Sequence, residues 1–296
     1  MDKIEQMRAF AAVVANGSFS VAAHRLGATP QLVSKYVKGL EDDMRVRLLN
    51  RTTRSVQPTD TGRAFYARAT RVIEDFDDLL ASARDEHAAP RGALKITAPT
   101  TFGELFLTPV IADFLDAYPE TSVDLHLTDR FVGLIDEGFD LAIRIGALDS
   151  SGLIARRLTE TPIRLCASPG YLAAHGAPAH PRELASHRCL IDTNFRNPNQ
   201  WRFTIDGAPV AVRVTARFRV NSATAVRRLL LADAGLALCP SYVVRDDLRS
   251  GALVSVLHGA VADTLGVYAV YLESRHLSGK IRAFVDFIAE RVRDAD

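Results

Sequence analysis

Residues Ser18 to Leu40, SFSVAAHRLGATPQLVSKYVKGL, constrain the fold more than any other stretch, because they read as two short helices folded across a tight turn. Ser18 is an N-cap residue before a segment whose apolar positions, Phe19, Ala22, Ala23 and Leu26, recur at helical spacing. Gly27 tolerates the positive φ that ends such a helix. Thr29 is an N-cap for the second helix, and Pro30 stands at the first helical position, where a missing N–H costs nothing. That helix is expected to bury Val33, Tyr36 or Val37, and Leu40, and to turn Gln31, Ser34, Lys35 and Lys38 outward. A short helix apolar behind and polar in front is an element that a DNA major groove admits.

The charge distribution points the same way. The chain of 296 residues carries a net charge of only +1, yet residues 1–71 hold twelve Lys/Arg against six Asp/Glu. A basic end suits phosphate contact, or simply a solvated face, while the rest of the chain is acidic. The length implies about two domains. No apolar run is long enough to span a membrane, and MDKIEQMRAF lacks the pattern of a signal peptide. Three scattered cysteines, Cys166, Cys189 and Cys239, suit a reducing compartment, so a cytoplasmic protein is expected. The cysteines read as buried free thiols, and the eight histidines have no metal-ligand spacing. No phosphate loop, nucleophile elbow or dinucleotide fingerprint is present, so neither an enzyme nor a cofactor is expected.

Along the chain, residues 2–16 predict an amphipathic helix burying Ile4, Met7, Phe10, Ala11 and Val14. RVRLLNRTTRSVQPTD predicts a two-stranded wing with a cationic tip at Arg51 to Arg54. Thr59 caps a long helix to about Glu86, on which Phe65, Ala69, Val72, Phe76 and Leu79 form a heptad-like stripe. Such a stripe packs either on its own domain or on a second copy of the chain. A second copy would set two helices of the polar-faced Pro30–Leu40 kind on neighbouring turns of a pseudo-palindromic DNA site. Breakers at 88–92 mark a hinge, and residues 93–296 alternate strands and helices, which implies an α/β region with mostly parallel sheets.

With these residues in view, the chain resembles the LysR-type transcriptional regulators. The specific part is GSFSVAAHRLGATPQLVSKYVKGLEDDMRVRLLNRTTRSVQPTDTG; LKITAP, DLAIRIG, CASPGYL and GLALCPSYV match more loosely. Gln31, Leu32 and Tyr36 depart from residues common in that family, which makes a borrowed operator sequence unsafe. The resemblance implies an N-terminal winged helix-turn-helix domain (1–58), a linker helix for dimerisation (59–87), the hinge, and an α/β effector region of two periplasmic-binding-protein-like subdomains (93–163 with 268–296, and 164–267). It places the chain crossovers near Arg164–Ser168 and Gly266–Tyr271. It also implies a homodimer or homotetramer, contact with RNA polymerase, and a small effector in the cleft that alters DNA binding or bending. A constitutive regulator without effector and a solute-binding protein are the alternatives.

The candidate DNA-contacting residues are Ser18, Thr29, Pro30, Gln31, Ser34, Lys35, Lys38, Arg51, Thr53 and Arg54. Gln31 suits an adenine edge, Lys35 a guanine edge or a phosphate, and Lys38, Arg51 and Arg54 the backbone or minor groove. The candidate effector-binding residues are Pro99, Thr100, Thr101, Phe102, Thr128, Arg144, Asn221 and Ser222. Free N–H groups at Thr100 and Thr101 suggest an anionic effector, helix capping being their simpler role. Arg144 faces either the cleft or a structural carboxylate such as Asp140.

Overall fold

The computed structural model describes residues 2–51, 56–84, 89–148, 153–272 and 278–293, in two compact units, Met1–Ala89 and Pro90–Asp296. The first unit opens with helix α1 (Lys3–Asn16), whose N-cap Asp2 accepts from the Ile4 N–H at 2.9 Å and whose C-cap Gly17 has φ +61°. Helix α2 (Phe19–Arg25) and helix α3 (Pro30–Met44) follow, with the expected caps. A hairpin of β1 (Leu49–Arg51) and β2 (Val56–Pro58) sets Arg51 opposite Val56, so both arms of the wing are present. Its tip, including Thr53 and Arg54, lies outside the described residues. Helix α4 (Asp60–Arg84) starts at Thr59, whose Oγ1 accepts from the Gly62 N–H at 2.9 Å.

Phe10, Val13, Ala22, Val33, Val37, Leu40 and Leu48 make the core of this unit. Two expectations are corrected there. Helix α1 buries Gln6, Ala9, Phe10 and Val13, a face rotated from the expected Ile4–Ala11 side. Small Ala9 lets α3 approach closely, and ranking residues by hydrophobicity alone hides that. Leu26 is 41% exposed, because α2 has already turned its C-terminal end outward at the Gly27 corner.

The second unit is built on a seven-stranded sheet with strands in the order β11-β6-β13-β5-β3-β4 and β12 added to β6. Strand β3 (Gly92–Ala98) leads into a short helix α5 (Thr100–Phe102), a π-turn (Gly103–Leu107) and helix α6 (Thr108–Ala117), then β4 (Thr121–Leu127), α7 (Leu134–Glu137) and β5 (Leu141–Ile145). Strands β4, β3 and β5 are parallel, as the alternation implied. The other pairs of this sheet are antiparallel. Strand β6 (Leu153–Ala167) runs antiparallel to β13 (Thr264–Leu272), and the expected predominance of parallel pairing fails because these two strands carry the chain between subdomains in opposite directions.

Along β6 the partner changes between Pro162, paired with β13, and Ile163, paired with β11 (Ala237–Pro240). The second subdomain adds α8 (Pro169–His175), β7 (Leu190–Asp192), the hairpin β8 (Gln200–Ile205) and β9 (Ala208–Arg213), β10 (Phe218–Val220), α9 (Ala223–Leu231), α10 (Ser241–Ser250) and β12 (Val254–Ser255). Sequence reasoning missed β8 and merged β9 with β10. The signal was Asp206-Gly207, both at positive φ, a two-residue turn that closes a hairpin. Helix α11 (Gly279–Arg293) returns to the first subdomain, where Phe284 packs edge-on against Phe114 at 5.0 Å. One core gathers Leu94, Ile96, Phe114, Ile143 and Phe284; another gathers Ile163, Tyr171, Trp201, Phe203 and Leu236.

Candidate DNA-reading face and ligand cleft

Helix α3 divides as its sequence demands. Val33, Val37 and Leu40 are buried, which resolves the Tyr36/Val37 alternative, with Tyr36 half-buried beside them. Gln31, Leu32, Lys35 and Lys38 are exposed and Ser34 is half-buried. Ser18 and Thr29 spend their hydroxyls on caps, accepting from the N–H groups of Val21 at 3.5 Å and Leu32 at 3.3 Å. Pro30 is exposed in the first turn of α3. Sequence reasoning missed Glu41, whose carboxylate accepts from the N–H groups of Leu48 (2.8 Å) and Leu49 (3.0 Å), so the wing is tied to the end of the recognition helix. Lys38, Arg45 and Arg47 line a depression at this junction. Arg51 has its backbone in β1; its side chain lies outside the described residues.

The apolar stripe of α4 is divided between two environments. Phe65 meets Phe10 edge-on at 5.5 Å, and Ala69 is 2% exposed, so these two expected dimer residues pack within their own unit. An ion pair from Arg8 to Asp77 also ties α1 to α4 and raises the guanidinium pKa. Val72 is 46% exposed and Leu80 41%, Phe76 is half-buried, and the side chain of Leu79 lies outside the described residues. At about 21 Å, α1 cannot cover the whole of α4, which is roughly 38 Å long.

In the second unit, the segment after β3 meets α9 and α10 across the boundary between subdomains. The Thr101 hydroxyl accepts from that of Thr224 on α9 at 3.5 Å, and the Phe102 ring lies edge-on to Tyr242 of α10 at 5.4 Å. Thr101 and Phe102 are buried, Pro99 and Thr100 half-buried. Thr128 accepts from the Arg130 N–H at 3.2 Å, and Ser222 caps α9 by accepting from Ala225 N–H at 3.2 Å, beside exposed Asn221.

The free Thr100 N–H expected for an anion is already engaged, by the Asp129 carboxylate at 3.2 Å. One of the N–H groups counted toward an anion site is thus already engaged. Arg144 does not pair with Asp140, which instead accepts from the Lys95 N–H at 2.9 Å. Its guanidinium lies 5.3 Å from the centre of the Phe131 ring, Nη2 is buried without a hydrogen-bond partner, and burial lowers its pKa.

Sequence reasoning also missed Asp192, at the end of β7 and 6% exposed. Desolvation pushes its pKa up to about 6, against the Asn194 N–H bond that lowers it, and the Asp129 charge adds to the rise. The same two carboxylates, after burial, raise the Tyr242 phenol. All three cysteines are buried, with Cys166 pushed up to about 12, Cys189 to about 11 and Cys239 raised as well, so burial keeps the thiols protonated. Among the described residues no His/Cys/Asp/Glu group could hold a metal ion, and no helix is long and apolar enough to cross a membrane.

A basic winged helix-turn-helix on the same chain as a two-lobed α/β unit of binding-protein type defines a DNA-binding transcription regulator. The comparisons with known proteins agree in both units. Residues 4–63 match the bacterial regulatory helix-turn-helix protein, lysR family, and residues 87–293 match the LysR substrate binding domain. The chain belongs to the LysR family of transcriptional regulators.

It is 34% identical to the HTH-type transcriptional regulator PtxR of Pseudomonas aeruginosa, over 98% of this chain and 93% of that protein. It is 33% identical to the regulator CrgA of Neisseria meningitidis, over 97% and 96%. The solved structure of CrgA superposes with a TM-score of 0.64 at 32% identity, covering 97% of this chain and 98% of that one. Full-length AphB, a virulence activator of Vibrio cholerae, gives 0.62 at 28%, covering 98% and 99%. These relatives are transcriptional regulators, not enzymes.

Proposed function

We propose that this protein is a cytoplasmic homo-oligomeric regulator that reads a pseudo-palindromic operator through paired α3 helices and responds to a small effector in the cleft between its α/β subdomains. The observation that carries this reading is the division of α3, with Val33, Val37 and Leu40 buried and Gln31, Lys35 and Lys38 presented outward. Gln31 and Lys35 then meet base edges, Lys38 meets phosphate, and Arg51, Thr53 and Arg54 extend the contact along the wing. Pro99 to Phe102, Thr128, Arg144, Asn221 and Ser222 border the effector. An effector that favours one arrangement of the subdomains shifts the spacing of the DNA-reading helices, and with it DNA bending and engagement of RNA polymerase.

Footprinting upstream of the protein's own gene and its divergent neighbour, with and without candidate metabolites, tests the whole reading. Lys35→Ala is expected to cost about 1–3 kcal/mol and to relax preference at one operator position. Lys38→Ala is expected to weaken all sequences alike and to reduce the salt slope by about one. Equal behaviour of the two variants refutes the division of labour, and no protected site refutes the reading.

The distal stripe of α4, exposed Val72 and Leu80 with half-buried Phe76 between them and Leu79 in heptad register, is the proposed dimer seam; Phe65 and Ala69 belong to the unit's own core. Val72→Asp should weaken dimerisation at least tenfold in sedimentation equilibrium, since it places a charge in an apolar seam. An unchanged dimer constant excludes this face.

A further inference from the structure

We propose that Arg144 seats the carboxylate of a small organic acid, on the face of the first subdomain's sheet that carries Tyr268 and lies under the Phe131 ring. The proposal rests on the effector reading of the α/β unit, and it assigns the chemical class of the ligand and the side chain that holds it.

Alternation along the strands sorts the side chains. Leu94, Ile96, Leu141 and Ile143 enter the large core on one face of the sheet, so Thr97 on β3 and Arg144 on β5 point to the other. Ala142 and Val270 of a smaller core, with Tyr268 packed against it, mark that second face. Two buried polar atoms there have no hydrogen-bond partner among the described residues, Thr97 Oγ1 and Arg144 Nη2. They are neighbours in the sheet: Thr97 is in register with Ala142, two residues before Arg144. Tyr268 stands directly opposite Arg144 on the next strand, which sets their Cβ atoms about 5 Å apart. A buried guanidinium nitrogen and hydroxyl left unbonded are costly, and an acceptor-only group such as a carboxylate satisfies both.

The surrounding charges set the class of anion. Glu137, whose charge acts on Arg144, is bound to Arg130 at 2.9 Å, and Asp140 accepts the Lys95 N–H. Lys95 Nζ donates to the Glu137 carbonyl at 3.0 Å and lies over the Phe139 ring. Arg144 is thus the cation left open on this face among the described residues, which suits a singly charged acid rather than a phosphate dianion. Its planar fork matches the two oxygens of a carboxylate. The Phe131 ring, 5.3 Å from the guanidinium and 70% exposed, offers apolar surface to the acid's carbon skeleton. The seat also adjoins the crossover. The Tyr268 ring lies over Gly266, where a Cβ would collide with the phenol hydroxyl, and the Gly266 carbonyl accepts from the Gly146 N–H at 2.9 Å. Between Val267 and Tyr268 the pairing of β13 with β6 shifts register, an irregularity that re-aims a side chain. An acid shared by Arg144 and Tyr268 joins β5 to a strand that crosses between subdomains. It thereby favours one arrangement of them, which is the differential affinity that an effector requires.

The test is calorimetric titration of the full-length protein near neutral pH with propionate and phenylpropanoate, against ethylamine, phenethylamine and inorganic phosphate, with operator footprints in parallel. The carboxylates are expected to bind, and the amines and phosphate not. Arg144→Gln should weaken carboxylate binding about tenfold or more, and Arg144→Lys should restore only part of it, because a point charge lacks the fork. Tyr268→Phe, which keeps the ring over Gly266 and removes only the hydroxyl, is an independent arm with an expected loss of about threefold to tenfold. Carboxylate binding that is unaltered by Arg144→Gln and Tyr268→Phe overturns the proposal, as does phosphate binding with the same dependence on Arg144. If the amines bind and move the footprint while the carboxylates do not, this proposal alone falls. If none of the ligands binds or moves the footprint, the effector reading falls with it.

Discussion

Asp192→Asn is expected to stabilise the α/β unit by roughly 2–3 kcal/mol above pH 6 and to lose most of that advantage as pH falls toward 4. The carboxyl of Asp192 sits 6% exposed, and burial raises its pKa from 3.8 to about 6. Between those values the unfolded chain has released the proton and the folded chain has kept it. The folded state therefore binds more protons, and stability falls as pH rises through this window, then levels off. Asparagine accepts the same Asn194 N–H without the charge, so its advantage grows across the same window and persists above it. Trp201, the single tryptophan, is buried in the second subdomain, so its fluorescence in a denaturant titration of the full chain reports on this unit. Parallel pH profiles for the two proteins would refute the assignment. A buried carboxylate that destabilises its own domain is the pattern expected where function opposes stability.

Gly62→Ala is expected to destabilise the DNA-reading unit by several kcal/mol, on the order of 2–4, and to abolish operator binding well below the unfolding temperature of the α/β unit. An ideal Cβ at this position would lie 2.0 Å from the Leu48 carbonyl oxygen and 3.2 Å from Thr59 Oγ1. Leu48 carbonyl oxygen accepts from the Thr59 N–H at 2.9 Å, so it cannot recede without breaking the joint between wing and linker helix. In an open helix the same change would be worth up to about 1 kcal/mol in favour of alanine. Calorimetry of the full chain should therefore show an early transition split from the later one that Trp201 reports. A single transition at unchanged temperature would show that α4 tolerates displacement here.

Both residues lie beyond what local patterns disclose. Gly62 follows a strong cap and is indistinguishable in sequence from a mildly unfavourable helix residue. Its necessity comes from the carbonyl of Leu48, just before β1, which approaches where the wing begins. Asp192 reads as an ordinary polar end to a short apolar run, LID, and its isolation arises only because β4 and β7 end at the same boundary. The stripe on α4 was legible in full, yet its allocation was not: Phe65 and Ala69 go to the unit's own core, while Val72 and Leu80 stay exposed. The resemblance in GSFSVAAHRLGATPQLVSKYVKGLEDDMRVRLLNRTTRSVQPTDTG did reach the family that matches residues 4–63 and 87–293.

What the sequence alone determined is therefore the DNA-reading half and the identity of most elements. Ser18, Thr29-Pro30, Gly17 and Gly27 act through hydrogen bonds and dihedral preferences within a few residues, and the polar face of α3 follows from helical period. Tertiary structure alone decided the chemistry of the cleft. Strands β6 and β13 cross between subdomains and bring Asp129 and Asp192, distant in sequence, within reach of each other's charge. Electrostatic energy depends on distance and burial, and neither is written in local sequence. The Thr100 N–H that promised an anion thus came to face a carboxylate instead.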